Sequence, residues 1–389
     1  MFGYSFTVFV SVFQLLPTVP YRVIDMGGST AVAGLFHGLL TFSSAASAPF
    51  AGPLSDRIGH RRVLIGVSLI LMMFTASYAF IGSYRLMFAV VIGHGLIWSA
   101  LLTASGAYMT ATIPASRRAE GLGYWGLASI LAIGAAPALG FWVYRHGWTA
   151  LCLELSLLNL LMAVIAWFLP DDEDDARVER AASVTSERPW QGGLLALVQS
   201  QVEWRVVVLS ISTALVSFGY GALTSFSSLF ADELGLSRRS LFLTVMAGAT
   251  VAGRLTIGRK VDALGPRRVL LRCLLIPPVG LLLLAFTTNE MMLVASALVF
   301  GAGFGLLLPA YNTYVLTHVH PHRRGAAFGA MLAAFDTGIG SGASAVGALV
   351  HMHGFRVAFG VAAALAALSL PYFLFAERKL GFLDPADRV

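Results

Sequence analysis

Charge is scarce in this sequence. Only 12% of the 389 residues are Asp, Glu, Lys or Arg, whereas soluble globular domains carry about 25%. Hydrophobic residues make up 57% of the chain, and the mean hydropathy is +0.77. This composition excludes an ordinary soluble enzyme and a disordered chain.

Cysteines and cofactor-binding motifs are equally sparse. The two cysteines, Cys152 and Cys273, both lie in apolar runs, so they indicate neither a disulfide framework nor a metal cluster. The sequence has no Walker A loop, no dinucleotide-binding fingerprint and no metal-ligand spacing. We therefore expect no cofactor, no bound metal, no ATP-driven transport and no enzymatic activity.

Long apolar runs fill most of the chain instead. A helix needs about 20 apolar residues to cross a bilayer, and the strands of outer-membrane barrels are shorter and alternate in polarity. The first run lacks the basic start and small-residue cleavage site of a signal peptide. The sequence therefore predicts an all-α integral membrane protein with twelve transmembrane helices. The predicted spans are 3–21, 30–53, 63–81, 86–112, 121–144, 149–169, 206–230, 241–258, 269–286, 291–318, 326–350 and 357–375.

Basic residues are distributed unevenly between the connections. All 26 are arginine except Lys260 and Lys379. With the N-terminus placed inside, 20 of them fall on the cytoplasmic side and 6 on the other. The positive-inside rule then predicts that both termini are cytoplasmic. The pI of about 9.5 follows from this topology, so we expect no nucleic-acid partner.

One sequence pattern occurs twice, 206 residues apart, after the second and the eighth predicted helix. Both copies keep Gly, Asp, Gly, Arg and Arg in register: Gly52, Asp56, Gly59, Arg61 and Arg62, then Gly258, Asp262, Gly265, Arg267 and Arg268. Arg117-Arg118 likewise recurs at Arg323-Arg324, and His146-Gly147 recurs at His353-Gly354. The repeat predicts two pseudo-symmetric six-helix halves, 1–169 and 206–375, followed by a cytoplasmic tail at 376–389.

The longest connection is the cytoplasmic linker 170–205 between these halves. It opens with five acidic residues at 171–175. A solvated linker is the simpler interpretation of this run, and a regulatory or partner-binding segment is the alternative. The later part, Gly192 to Trp204, could form a short helix on the inner leaflet.

The first copy of the repeated pattern, with Arg57 after Asp56, resembles the loop 2–3 signature of the major facilitator superfamily (MFS). The resemblance covers the whole chain and implies a loop that latches the cytoplasmic side. The residue types suit that role. Glycine lets helix ends approach closely, Asp can face a helix N-terminus, and the arginines can hold the loop at the anionic inner leaflet.

Two further motifs resemble those of twelve-helix drug:proton antiporters. Pro17, followed by Pro20, is similar to the proline motif at the end of their first helix. The fifth helix carries a partial match to their Gly-Pro motif, which implies close packing and a kink: Gly126, Gly134, Pro137 and Gly140. The arginine that such antiporters often place in helix 4 is absent, since Val91 and His94 occupy the corresponding stretch.

Asp336, His37, His94 and Glu154 lie within predicted spans, where an ionisable residue is costly and calls for an explanation. Asp336 lies about 15 Å into the eleventh span, near mid-membrane. A carboxylate buried there can bind and release protons, or it can be permanently hydrogen-bonded. His37 and His94 are proton-relay or structural candidates, with His37 a possible partner of Asp336. Glu154 is shallow, and snorkelling or pairing explains it more simply than transport.

In this superfamily helices 1, 4, 7 and 10 line the substrate cavity. Here they offer aromatic rings with few polar groups, which suits an amphipathic or lipophilic ligand. Packing or interfacial anchoring is the alternative role for most of them. The candidates are Gln14, Trp98, Tyr108, Tyr220, Thr224, Phe226, Tyr311 and Asn312.

The sequence thus predicts a monomeric transporter of a bacterial inner membrane, with a small molecule, protons and the lipid bilayer as its partners. The leading hypothesis is proton-coupled export of a small amphipathic organic compound by alternating access. Three alternatives remain open: proton-coupled uptake of a sugar or organic acid, export of a siderophore or other metallophore, and a sensor that kept the fold without transport.

Overall fold

The structure, a computed structural model, describes residues 1–113, 118–170, 203–257, 265–320 and 324–382. These residues form thirteen α-helices and no β-strand. The helices are α1 (Phe2–Asp25), α2 (Thr30–Ile58), α3 (His60–Tyr78), α4 (Tyr84–Thr112), α5 (Arg118–Tyr144), α6 (Trp148–Trp167), α7 (Trp204–Glu233), α8 (Leu241–Ile257), α9 (Pro266–Ala285), α10 (Glu290–Phe304), α11 (Leu307–Thr317), α12 (Arg324–Ala367) and α13 (Ser369–Leu380). The predicted all-α membrane fold is confirmed.

The helices match the predicted spans in place, with two differences in continuity. The tenth span is divided into α10 and α11, whereas α12 runs through the end of the eleventh span into the twelfth. Gly354, at φ 79° and ψ 170°, interrupts the helical backbone of α12. Within the described residues, nine helical segments are long and apolar enough to cross a membrane. The count of twelve transmembrane helices stays a prediction.

Glycines at matching positions end or begin helices in both sequence repeats. Gly59 and Gly265 precede α3 and α9 at φ 95° and 83°, and Gly147 matches Gly354 at φ 108° and 79°. No other residue type in the described chain adopts a positive φ, because a Cβ atom makes this region costly. The internal repeat is therefore visible in the backbone as well as in the sequence.

The chain divides into two compact units. Unit 1 contains Met1–Val12, Ser43–Ala132 and Val143–Gln201, and unit 2 contains Phe13–Phe42, Ile133–Trp142 and Val202–Val389. Two segments of the predicted N-terminal half therefore group with the C-terminal helices. The predicted domain boundaries at 169, 205 and 375 stay a prediction.

Unit 1 has its core between α1, α3, α4 and α6. Tyr4 and Tyr108 are almost completely buried in it among aliphatic side chains. The Tyr4 hydroxyl is 3.0 Å from Ser68 Oγ, and the Tyr108 hydroxyl donates to the Pro170 carbonyl at 2.9 Å. These bonds satisfy the buried phenols, as a low-dielectric core requires.

In unit 2, α12 packs between α7 and the first part of α2, and glycine makes the close approach possible. A Cβ atom on Gly342 would collide with the Phe218 carbonyl of α7, and one on Gly34 would collide with the Ala343 carbonyl of α12. Such contacts replace side-chain packing by backbone packing, which is typical of helix pairs in membranes. They fix the depth at which α2, α7 and α12 face each other.

Candidate functional site

Unit 2 encloses a small cavity formed by α1, α5, α7 and α8. Six of its lining side chains are apolar, and the other two, Tyr220 and Thr224, carry hydroxyl groups. The lining residues are Phe13, Pro17, Ile133, Pro137, Tyr220, Thr224, Leu243 and Met246. Four of these are predicted site residues from three different motifs: Pro17, Pro137, Tyr220 and Thr224. Its mainly apolar lining with few polar groups has the composition of a small-molecule site, while its volume of about 10 Å³ is far below the roughly 300–1,000 Å³ of such sites.

Glycines of α5 hold two walls of this cavity close together. A Cβ atom on Gly140 would lie 3.0 Å from Gln14 Cα and Cβ of α1, and one on Gly134 would lie 3.3 Å from Ala247 Cβ of α8. Gln14 is completely buried at this contact. The predicted packing glycines therefore lie where α5 meets its neighbours, on either side of Pro137.

Tyr220 connects the cavity to a row of stacked rings. Its ring lies 4.3 Å from that of Phe304, at an interplanar angle of 12°, and Phe304 stacks on Phe335 of α12 at 5.9 Å. The Thr224 hydroxyl is occupied by the Tyr220 carbonyl at 3.0 Å. The Tyr220 hydroxyl, in contrast, has no hydrogen-bond partner among the described residues. It is therefore available to a ligand.

Asp336 directly follows the last ring of this row. Its side chain is half-buried, and it forms no hydrogen bond or ion pair with any described residue. One helical turn further along α12, Gly340 packs against Thr41 of α2. Asp336 is thus a carboxylate within an apolar helical segment that the described surroundings do not neutralise, the situation expected of a functional group.

The two histidines are both buried and hydrogen-bonded, in different units. His37 Nδ1 is 2.9 Å from Ser225 Oγ, so it joins α2 to α7. His94 Nδ1 is 3.2 Å from the Tyr78 hydroxyl, and its ring stacks on Phe74. His37 and Asp336 are not brought together, because His37 precedes Gly38, which packs against Ser344 two turns beyond Asp336. Glu154 is half-buried in α6 of unit 1.

The other predicted cavity residues lie in packed regions. Tyr108 and Tyr311 belong to the cores of their units, and the Tyr311 hydroxyl donates to Ser210 at 3.0 Å. Phe226 is fully buried against Gly34 and Gly347. Trp98 meets Phe9 edge to face at 6.3 Å. Asn312 is half-buried in α11.

Comparison with known proteins identifies the family of this fold and cavity. A family profile described as Major Facilitator Superfamily matches residues 1–253 and 209–387. The chain belongs to this superfamily. The MFS-type transporter YhhS of Escherichia coli strain K12 is 25% identical over 378 residues, which cover 94% of this chain and 89% of YhhS. An MFS-type transporter of Pseudomonas aeruginosa strain UCBPP-PA14 is 27% identical over 393 residues, covering 94% and 90%.

Solved structures of MFS transporters share the fold. The crystal structure of the nucleoside transporter NupG aligns with a TM-score of 0.74 at 16% identity, over 96% of this chain and 97% of NupG. The human organic anion transporter MFSD10 aligns with a TM-score of 0.67 at 16% identity, over 96% and 97%. The chain is therefore a multi-pass membrane protein of a transporter superfamily, consistent with a bacterial inner membrane.

The superfamily loop motif is described only in part. Gly258 and Asp262 lie outside the described residues, as does the side chain of Asp56, while the backbones of Gly52 and Asp56 belong to the last part of α2. Gly126 lies in α5, and three motif arginines are exposed: Arg57, Arg62 and Arg268. Arg61 donates to the Ala166 and Trp167 carbonyls at the end of α6. Arg267 instead forms a two-bond ion pair with Glu377 of α13, at 2.7 and 2.9 Å.

Sequence reasoning missed the apolar half of the cavity and one polar residue. Phe13, Ile133, Leu243 and Met246 line the cavity, but nothing in the sequence distinguishes them from lipid-facing neighbours. Arg254 is one of the 20 basic residues that the charge count assigns to the cytoplasmic side, and no sequence motif distinguishes it from the others.

Proposed function

We propose that this protein exports a small amphipathic organic compound in exchange for protons. The carrying observation is the apolar cavity in which Pro17 and Pro137, from two antiporter-like motifs, meet Tyr220 and Thr224. Such a lining favours a largely apolar ligand that offers one or two hydrogen-bonding groups. The unbonded Tyr220 hydroxyl is the group we assign to hold it.

Asp336 is the residue we assign to carry the proton. It is half-buried within an apolar helical segment and has no partner among the described residues. A carboxylate of this kind can alternate between a protonated and a charged form, whereas an arginine cannot. The stacked rings of Tyr220, Phe304 and Phe335 offer a physical connection between ligand contact and this carboxylate.

Alternating access requires the outer parts of the predicted halves to separate. In unit 2 the contact that must open includes the glycine-rich packing of α2 on α12 and the His37–Ser225 hydrogen bond between α2 and α7. We propose that the two arginine-rich loops close the cytoplasmic side while the outer side is open. The distribution of basic residues, 20 against 6, supports cytoplasmic termini.

Vesicles of defined orientation test this proposal. Inside-out vesicles with an acidic lumen should accumulate the exported compound from a panel of amphipathic molecules, because protons leaving the lumen drive it inward. Single-cysteine labelling in 170–205 and near Arg238 verifies orientation in the same membranes, since Cys152 and Cys273 are buried. Accumulation only in right-side-out vesicles with acid outside would contradict export.

Accumulation only in right-side-out vesicles would instead support the other candidate function, which is proton-coupled uptake of a sugar, an organic acid or a nucleoside. Its support is the fold shared with NupG, which is named a nucleoside transporter. The cavity offers only two hydroxyl groups against six apolar side chains, which favours the export of a more apolar compound.

A further inference from the structure

Arg254 of α8 compensates for a missing hydrogen bond in a neighbouring helix. Gly305 lies at the break between α10 and α11, and its carbonyl has no backbone donor four residues further on because Pro309 has no N–H group. Arg254 Nε donates to that carbonyl at 2.8 Å. Thr250, one turn earlier on α8, donates in the same way to the Gly301 carbonyl at 3.2 Å. The guanidinium group is thereby fixed in position.

This bond places a cation deep in the protein. Gly305 lies near the middle of the apolar segment Glu290–Thr317, which is 28 residues long. Twelve residues separate Gly305 from Thr317, which is about 18 Å of helix. Arg254 is half-buried. A charged group at this depth costs several kcal/mol unless something compensates it, so its presence calls for a function.

Four of the five N–H donors of Arg254 form no hydrogen bond with any described residue. Only Nε is engaged, and the two terminal nitrogens form no hydrogen bond or ion pair with any described residue. A planar guanidinium with free terminal N–H groups matches the two oxygens of a carboxylate. The backbone carbonyl of Gly305 satisfies one donor and leaves the positive charge without a counter-ion in the described chain.

The cavity lies on the same face of α8. Met246, which lines it, precedes Thr250 and Arg254 at intervals of four residues, so the three side chains share a face. Eight residues correspond to about 12 Å along the helix. Phe304, next to the carbonyl that Arg254 binds, stacks on the cavity residue Tyr220.

We propose that Arg254 binds the carboxylate of an amphipathic organic anion, whose apolar part extends along α8 and enters the cavity when the cavity widens. This inference deepens the proposed export function and rests on it. It restricts the substrate class to anions whose apolar part reaches about 12 Å from the carboxylate. The terminal nitrogens make the bidentate contact, while Nε stays on Gly305.

Arg254 could instead serve only as a replacement donor for Gly305. A pair of substitutions separates the two roles. Pro309→Ala restores the intrahelical donor, so in Arg254→Met/Pro309→Ala the carbonyl is satisfied and only the charge is missing. Pro309→Ala alone is the matched control, because it keeps the charge.

Binding to the purified full chain in detergent is measured with decanoate and with its uncharged analogue decanamide. The wild type and Pro309→Ala should bind decanoate about tenfold or more tightly than decanamide, the value of a charge-assisted pair. Arg254→Met/Pro309→Ala should bind both probes equally. Equal binding of the two probes by the wild type, or a preference that survives in the double variant, overturns the proposal.

A second measurement needs no variant. Decanoate, and not decanamide, should protect Arg254 from phenylglyoxal modification, as read by mass spectrometry, while exposed Arg356 reacts equally in both samples. Modification of Arg254 that decanoate does not slow would also overturn the proposal. Neither measurement uses a gradient, so failed proton-driven export with intact anion selectivity would count against the export function alone.

Discussion

The two sequence repeats build the same contact with different partners. Arg61 and Arg267 occupy equivalent places, as do Tyr108 and Tyr314. In the first repeat Arg61 binds the Ala166 and Trp167 carbonyls and Tyr108 binds the Pro170 carbonyl. In the second, both Arg267 and Tyr314 bind the fully buried carboxylate of Glu377. The acceptors described here are backbone carbonyls in the first repeat and a carboxylate in the second.

The second repeat also contains residues that have no counterpart in the first. Counting back 206 residues from Arg254 and Pro309 gives Ala48 and Thr103, so the first repeat has neither the guanidinium nor the kink. The stretch 126–134 that corresponds to Asp336 contains no carboxylate. Backbone geometry is thus common to both repeats, whereas Arg254 and Asp336 have no charged counterpart in the first repeat and Glu154 has none in the second. We infer that Arg254 and Asp336 of the second repeat supply the charged groups for ligand and proton chemistry, at a cavity that residues of both repeats line.

The strongest way to break this comparison is Asp336→Asn, which mimics the protonated carboxyl permanently. It should abolish pH-driven transport while binding and exchange of the substrate persist, because only proton release is lost. Substrate-induced proton movement in vesicles at matched protein levels is the measurement. Undiminished proton movement would remove Asp336 from the mechanism and direct attention to His37, His94 and Glu154.

The two arginine contacts should differ in their effect on stability. Glu377→Gln leaves Arg267 without its counter-ion next to a buried site, at a cost of about 2–4 kcal/mol in the free energy of unfolding. Arg61→Gln removes bonds to two carbonyls at a more exposed helix end and should cost about 0.5–1.5 kcal/mol. Thermal unfolding of the purified variants in detergent compares them. Equal losses in the free energy of unfolding would mean that the carboxylate contact of Arg267 and the carbonyl contacts of Arg61 contribute equally to stability.

The sequence allowed the helices, their approximate ends and the repeat to be predicted, because hydropathy and motif spacing are local properties. It also indicated Pro17, Pro137, Tyr220 and Thr224, which the structure brings to one cavity. It could not separate them from Tyr108 or Tyr311, because the direction of an aromatic side chain depends on helix rotation. The partner of Arg254 was equally hidden, since it is a backbone carbonyl 51 residues away.

The smallest effect on stability is expected from the loop glycines that both repeats share. Gly59 and Gly265 begin α3 and α9 at φ 95° and 83°, with no side-chain cap in either case. An alanine at either position must adopt a left-handed or related backbone conformation, which costs about 1–2 kcal/mol. No heavy atom lies within 4 Å of a Cβ atom built on Gly265, so backbone strain is the main term there.

Gly59→Ala and Gly265→Ala should therefore lower the thermal unfolding midpoint by similar amounts. Gly66→Ala is the control, because Gly66 lies in a helix without backbone strain and a Cβ atom there also meets open space. A much larger loss for one glycine would show that the two loops differ in backbone energetics as well as in charge, and that the framework is less symmetric than its dihedral angles indicate.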